Sequence, residues 1–141
     1  MAVSIYNLEH SGGIAIPFFD VGVAAGTPSY VQEYFPDSIN ISQELVKNPK
    51  ATFCVRVSGQ SMVGAGIDDG DLLIVDKDLE AKDGQIILAV INGDYTVKRL
   101  LKKSDGHYLQ PENPDFEPLR ITPFMDFRIW GVVTGLIKKL Q

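Results

Sequence analysis

Cysteine and histidine are almost missing from this sequence. The 141 residues hold one cysteine, Cys54, and two histidines, His10 and His107, far apart in the chain. A lone cysteine excludes an internal disulfide and any multi-cysteine metal site. Two separated histidines leave little from which to build a zinc site, so no metal or other cofactor is expected. Positive charge is missing from the beginning: of 13 Lys and Arg, none precedes Lys47. Phosphate contacts need such residues, so the N-terminal region is not a nucleic-acid-binding arm and direct sequence-specific DNA binding is not expected. A secretory leader needs a positive start and a longer apolar run than "GIAIPFF", which Pro17 interrupts. No stretch approaches the roughly 18 apolar residues of a membrane span. The expectation is a soluble cytoplasmic protein.

What is present suits one domain with one core. Apolar residues make up 45% of the chain and charged residues 22%, with a net charge of −5. Thirteen glycines and eight prolines imply many turns and short strands. Residues 1–39 show no sustained period and read as an extended arm with strand-like pieces, ahead of a domain over residues 40–141. "NISQELVKNP" carries a short helix, with Asn40 or Ser42 as its cap, Glu44 in its first turn and Pro49 past its end.

From Thr52 the pattern is β. "TFCVRVS" alternates Phe53, Val55 and Val57 against Thr52, Cys54, Arg56 and Ser58. "DLLIVDK" is a short apolar run. In "GQIILAVINGDYTVKRLLKK" two β runs flank Asn92-Gly93, the dipeptide that favours a type I′ hairpin. A brief strand, a Pro-rich loop and another brief strand follow in "HYLQPENPDFEPLRI", and "FRIWGVVTGLIKKL" closes the chain. Six or so strands in one domain predict a mainly β fold, a twisted and partly barrel-like sheet. Cys54, Phe124, Phe127 and Trp130 read as core.

One stretch does not read as strand or helix. "VSGQSMVGAGIDDGD" places Ser61 just past a strand, in a glycine-bearing turn that would expose its hydroxyl and leave nearby backbone N–H groups unpaired. Such groups form oxyanion holes. A serine needs a base to become a nucleophile. Neither histidine sits in a suitable context. A lysine serves if burial lowers its pKa and leaves it neutral, and Ser-Lys is a known variant of triad chemistry. The candidate is Lys98, in the hairpin strand "YTVKRLL". Alternation puts Lys98 on one face with Thr96 and Leu100, and Arg99 on the other with Tyr95 and Val97; it does not say which face points inward. Arginine does not lose its proton, so only Lys98 qualifies as a base. The plain alternatives are a turn serine and a solvated Lys-Arg pair. The aspartates of "DDGD" lack the remaining ligands of a calcium loop and read as turn and surface residues.

These blocks, in this order and with Ser61 and Lys98 separated by 37 positions, resemble the LexA/UmuD (S24 peptidase) family of self-cleaving serine peptidases. "PENPDFEPL" and "IWGVVTGLIKK" are similar to the family as well, and "VAAGTPSY" resembles its cleavage segment. The resemblance implies a LexA/UmuD C-terminal-domain-like fold. It also implies Ser61 as nucleophile, Lys98 as general base and acid, the backbone N–H groups of Ser61 and Met62 as oxyanion donors, and Ala25–Gly26 as the scissile bond. The short arm, which has no Lys or Arg, looks like the UmuD branch rather than the repressors, which carry a DNA-binding domain there. That branch implies a homodimer, cleavage promoted by a RecA filament on single-stranded DNA, and a UmuC-like Y-family polymerase as partner in SOS mutagenesis. Two other readings remain. One is a non-catalytic dimerising, polymerase-binding module. The other is a LexA or phage-repressor relative without its DNA-binding domain.

Overall fold

The alternation of "TFCVRVS" becomes a strand with one face in the core and one face out. In the computed structural model, which describes residues 2–7, 15–18 and 37–141, that strand is β4 (Thr52–Ser58). Phe53, Val55 and Val57 are buried, Cys54 is half-buried, and Arg56 and Ser58 are exposed. Three short strands precede it in the chain: β1 (Ala2–Asn7), β2 (Ala15–Phe18) and β3 (Asp37–Asn40). Six follow: β5 (Leu72–Asp76), β6 (Ile86–Ile91), β7 (Asp94–Lys103), β8 (Gly106–Gln110), β9 (Leu119–Arg120) and β10 (Phe127–Ile137). The fold is mainly β, as expected. It has more strands than the six or so that patterning showed, because β1 to β3 lie in the stretch whose sequence shows no sustained period.

Two compact units divide the chain. The first joins residues 1–9 to residues 48–141; the second is residues 10–47. In the first unit, eight antiparallel strands form one sheet in the order β1-β4-β5-β10-β6-β7-β8-β9. The last strand therefore lies in the middle, between β5 and β6. It bends there through two register shifts, one between Ile129 and Gly131 and one between Val133 and Gly135. Bulges of this kind increase local twist, and the sheet curls far enough to bring β1 near β7. Gly131 sits at the tightest approach: a Cβ there would lie 2.5 Å from Val75 Cγ1 and 2.9 Å from the Asp76 carbonyl oxygen. The β6–β7 hairpin turns at Asn92 and Gly93, whose φ values of 49° and 89° suit the expected type I′ geometry.

The sheet is buried on both faces along β6, where Ile87, Leu88, Ala89 and Val90 are all in the interior. Leu88 joins a core cluster with Phe53, Val55, Val57, Met62, Ile67, Leu73, Val75 and Val97. Ile87 and Ala89 join a second with Ala81, Leu100, Leu109 and Val132. The second unit pairs β2 with β3 antiparallel and continues into α1 (Ile41–Leu45). Its cap is Asn40, whose side chain accepts the Gln43 N–H at 3.1 Å; Ser42 lies inside the first turn.

Three core expectations change. Phe124 is 97% exposed. It occupies the tip of a turn closed by the Met125 N–H on the Thr122 carbonyl, with Pro123 before it, so its side chain points outward. Trp130 is 38% exposed even though it packs edge-on against Phe53 and Tyr95. Cys54 is only half-buried, and that burial pushes its thiol pKa up. Phe127 is partly buried against the second cluster.

Candidate active site

The turn that carries Ser61 is fixed at both ends. β4 ends at Ser58, and Gly59 (φ 98°) reverses the chain while its N–H donates to Asp69 Oδ1 at 2.8 Å. The loop that returns is clasped to β4: the Gly70 N–H donates to the Val57 carbonyl at 2.7 Å and the Val57 N–H to the Asp71 carbonyl at 3.0 Å. After Ser61 the chain makes a 3₁₀ turn over Val63–Ala65. Met62 anchors it, with its side chain fully buried in the first core cluster and its carbonyl accepting from the N–H groups of Ala65 and Ile67.

A second segment holds the turn from the side. The Gly64 N–H donates to the Glu112 carbonyl at 2.7 Å, and Asn113 Nδ2 donates to the Gln60 carbonyl at 2.8 Å. The approach requires glycine, because a Cβ on residue 64 would lie 2.6 Å from the Glu112 carbonyl oxygen. Glu112 is held in turn by an ion pair with Arg99, whose Nη1 also donates to the Gly84 carbonyl. Between Gly64 and this Pro-rich segment runs an open groove of about 500 Å³, lined among others by Gln110, Asn113 and Phe116.

Lys98 reaches this turn from β7. Its Nζ donates to Ser61 Oγ at 3.1 Å, to Thr96 Oγ1 at 2.8 Å and to the Val97 carbonyl at 3.0 Å. Thr96 and Lys98 are two residues apart on one strand and so share a face. Val97, between them, points the other way into the first core cluster. The ambiguity between the two cations is thereby resolved: Lys98 turns to Ser61 and Arg99 to Glu112. Among the described residues, no ion pair involves Lys98. Burial lowers its pKa from the ordinary lysine value of 10.5, because desolvation penalises the ammonium.

Ser61 itself is not displayed to solvent as the sequence suggested. It is 1% exposed, with its hydroxyl turned toward Lys98. Among the described residues, the backbone N–H groups of Ser61 and Met62 make no hydrogen bond, although both residues are buried. Two unpaired donors beside a serine oxygen can receive a developing oxyanion. Ala25 and Gly26 lie outside the described residues; in sequence they fall between β2 and β3.

The aspartates of the loop need a correction. Asp68 and Asp69 are exposed, but Asp71 is buried, with its carboxylate accepting from Lys138 Nζ at 2.6 Å and from the Asp68 N–H at 2.7 Å. Burial raises the Asp71 pKa, and the Lys138 and Asp68 hydrogen bonds outweigh it, so the net shift is downward. The same lysine also binds Asp68, tying the C-terminal end of the chain to the loop after Ser61.

With this geometry in hand, comparison with known proteins decides the family. The sequence model of the Peptidase S24-like family matches residues 17–134. This chain belongs to that family, the self-cleaving serine peptidases to which the two sequence blocks pointed. Among its relatives is Protein MucA of Salmonella typhimurium, 40% identical over 136 residues that cover 95% of this chain and 92% of MucA. The LexA repressor of Delftia acidovorans is 41% identical over 116 residues, 82% of this chain and 51% of the repressor. The LexA repressor of Burkholderia cenocepacia is 42% identical over 140 residues, 94% of this chain and 62% of the repressor. The similarity to the repressors thus takes in most of this chain and a smaller share of theirs.

Residues outside the earlier expectation also contribute. Thr96 was on the face of Lys98 by alternation alone, a signal that was available. Glu112 and Asn113 had no local signal, because their importance comes from a contact with residues about 50 positions earlier.

Proposed function

We propose that this protein is a self-cleaving serine endopeptidase in which Ser61 is the nucleophile and Lys98 the general base and acid. The observation that carries the reading is the 3.1 Å contact between Lys98 Nζ and Ser61 Oγ, made by a lysine whose burial lowers its pKa. Neutral Lys98 takes the hydroxyl proton as Ser61 Oγ attacks the carbonyl carbon of Ala25. The N–H groups of Ser61 and Met62 stabilise the oxyanion. Lys98 returns its proton to the Gly26 nitrogen, the C–N bond breaks, and an ester joins Ala25 to Ser61. A water that gives its proton to Lys98 then attacks the ester; as the bond to Ser61 Oγ breaks, Lys98 returns that proton to the serine oxygen, and the Ala25 carboxylate is freed. Small residues at the cut allow the backbone within attack distance, and the groove beside Gly64 offers room for an extended chain.

Cleavage divides the chain into an arm, residues 1–25, and a body, residues 26–141. In the UmuD-like reading, a RecA filament on single-stranded DNA stimulates the cut, and the shortened homodimer becomes a subunit of an error-prone Y-family polymerase in the cytoplasm. Similarity to MucA along nearly its whole length supports this branch. Among the described residues, no helix is long and apolar enough to cross a membrane. The test is to incubate the purified protein with and without a RecA filament and to weigh the products. Faster appearance of residues 26–141 with the filament is expected. Equal rates would remove RecA from the account, and a different mass would move the scissile bond.

A further inference from the structure

Residues 2–7 form an edge strand that is separated, by the proposed cut, from the sheet to which it belongs. β1 pairs with β4 in an antiparallel register that runs from Ala2 opposite Ser58 to Asn7 opposite Phe53. Side chains contribute little to this hold. Among residues 2–6, Ala2, Ser4, Ile5 and Tyr6 are exposed, and Val3, opposite Val57, is partly buried against the first core cluster. What fixes the strand is therefore the backbone ladder together with its covalent tether. The tether matters because a linked segment faces its site at a raised effective concentration, an advantage that a separate peptide loses.

The opposite end of the sheet is of another kind. There the edge is β9, two residues long and preceded by Pro118. Short edges and prolines discourage further strand pairing. The β4 edge has neither protection. It offers seven residues without proline, and its inward side chains Phe53, Val55 and Val57 keep it fixed in the core.

We propose that the outer edge of β4 is a strand-binding site, filled within the intact chain by residues 2–7, and that once its tether is cut this strand becomes an exchangeable ligand. The freed site takes an extended, uncharged segment with a small β-branched residue opposite Val57, in the manner of β-augmentation. Main-chain bonds supply the affinity and the Val3 position supplies the selectivity. That the strand is ever freed in the cell rests on the self-cleavage reading; the site itself does not.

The experiment keeps the two apart. A recognition sequence for a foreign protease is inserted between Glu9 and His10 in a full-length chain bearing Ser61→Ala, so that the cut is made without the chain's own chemistry and β1 alone is freed. A fluorescent peptide of residues 1–9 is then titrated into the cut and uncut proteins, with hydrogen exchange read along β4. Saturable binding at least ten-fold tighter to the cut protein is expected, with a peptide carrying Val3→Asp at least ten-fold weaker. The β4 amides that face β1 should regain protection when the wild-type peptide is added. Equal binding to the two proteins, indifference to Val3→Asp, or no change in β4 protection would overturn the proposal. Because the discriminating change lies in the added peptide, misfolding of a variant cannot imitate the result.

Discussion

At the scale of single residues, everything depends on how much Lys98 dislikes its charge. Its pKa is lowered because its Nζ is buried beside a serine, a threonine and a carbonyl and, among the described residues, with no carboxylate bonded to it. The lysine is therefore neutral at a pH where an exposed lysine is not. The folded chain holds that proton less tightly than the unfolded chain does, so the stability lost to Lys98 is recovered as pH rises through the folded pKa toward 10.5. Replacing Lys98 with Met should abolish cleavage and raise the thermal midpoint at neutral pH, read by calorimetry. A midpoint that falls would mean that the lysine stabilises the fold. Lys98→Arg should not restore cleavage, because arginine keeps its proton.

Thr96 acts through Lys98 rather than on the peptide bond. Thr96→Val removes an acceptor from the ammonium, worth about 1 kcal/mol, so the rate at the plateau should fall by about five-fold. The lysine should also deprotonate at lower pH, and the rate profile should shift with it. A lower rate with an unmoved profile would assign Thr96 a packing role only.

At the scale of elements, the Ser61 turn is held by three neighbours that no local pattern announces. The sequence made β4, β5 and the β6–β7 hairpin legible, because alternation and Asn92-Gly93 are short-range signals. It left Lys98 and Arg99 undecided, since either face of β7 was acceptable on spacing alone. It misplaced Phe124, whose apolar character suggests core but whose turn position decides otherwise. It could not show that Glu112 and Asn113 dock against Gln60 and Gly64, nor that Lys138 buries the Asp71 carboxylate. Each of those depends on tertiary closure.

The Gly64 contact gives a direct test of that docking. Gly64→Ala forces a Cβ against the Glu112 carbonyl and should cost about 1–3 kcal/mol, the range for overpacking. Cleavage should slow together with the loss of stability, as read by urea denaturation and by the yield of product. An unchanged midpoint would show that the Pro-rich segment gives way freely. The Lys138–Asp71 pair acts on stability with the opposite pH sense. Asp71 has a lowered pKa, so its contribution is present above the ordinary carboxylate value of 3.8 and is lost as pH falls through its folded value. Asp71→Asn should flatten acid unfolding in that range; a variant that unfolds along the wild-type curve would remove Asp71 from the account.

At the scale of the whole molecule, the eight-stranded sheet provides a rigid frame with its last strand in the middle and its first strand at an edge. The sheet fixes Ser61 and Lys98 relative to each other. The proposed scissile bond lies in the segment between β2 and β3, between the first strand and the frame in sequence. Self-cleavage then changes which strands share a covalent chain without touching the core. The sequence alone supported that division of labour only through family resemblance, because composition shows an arm without Lys or Arg but not a strand that pairs with β4.

The central claim is that Ser61 and Lys98 cut this chain between Ala25 and Gly26, and the rate of that cut as a function of pH tests it most directly. Purified wild type, Ser61→Ala and Lys98→Ala are incubated from neutral to alkaline pH, and the products are identified by mass. The account predicts fragments 1–25 and 26–141 from wild type alone, at a rate that climbs with pH and levels off with a midpoint below 10.5. An intact wild type across that range, or the same cut in Ser61→Ala, would contradict it.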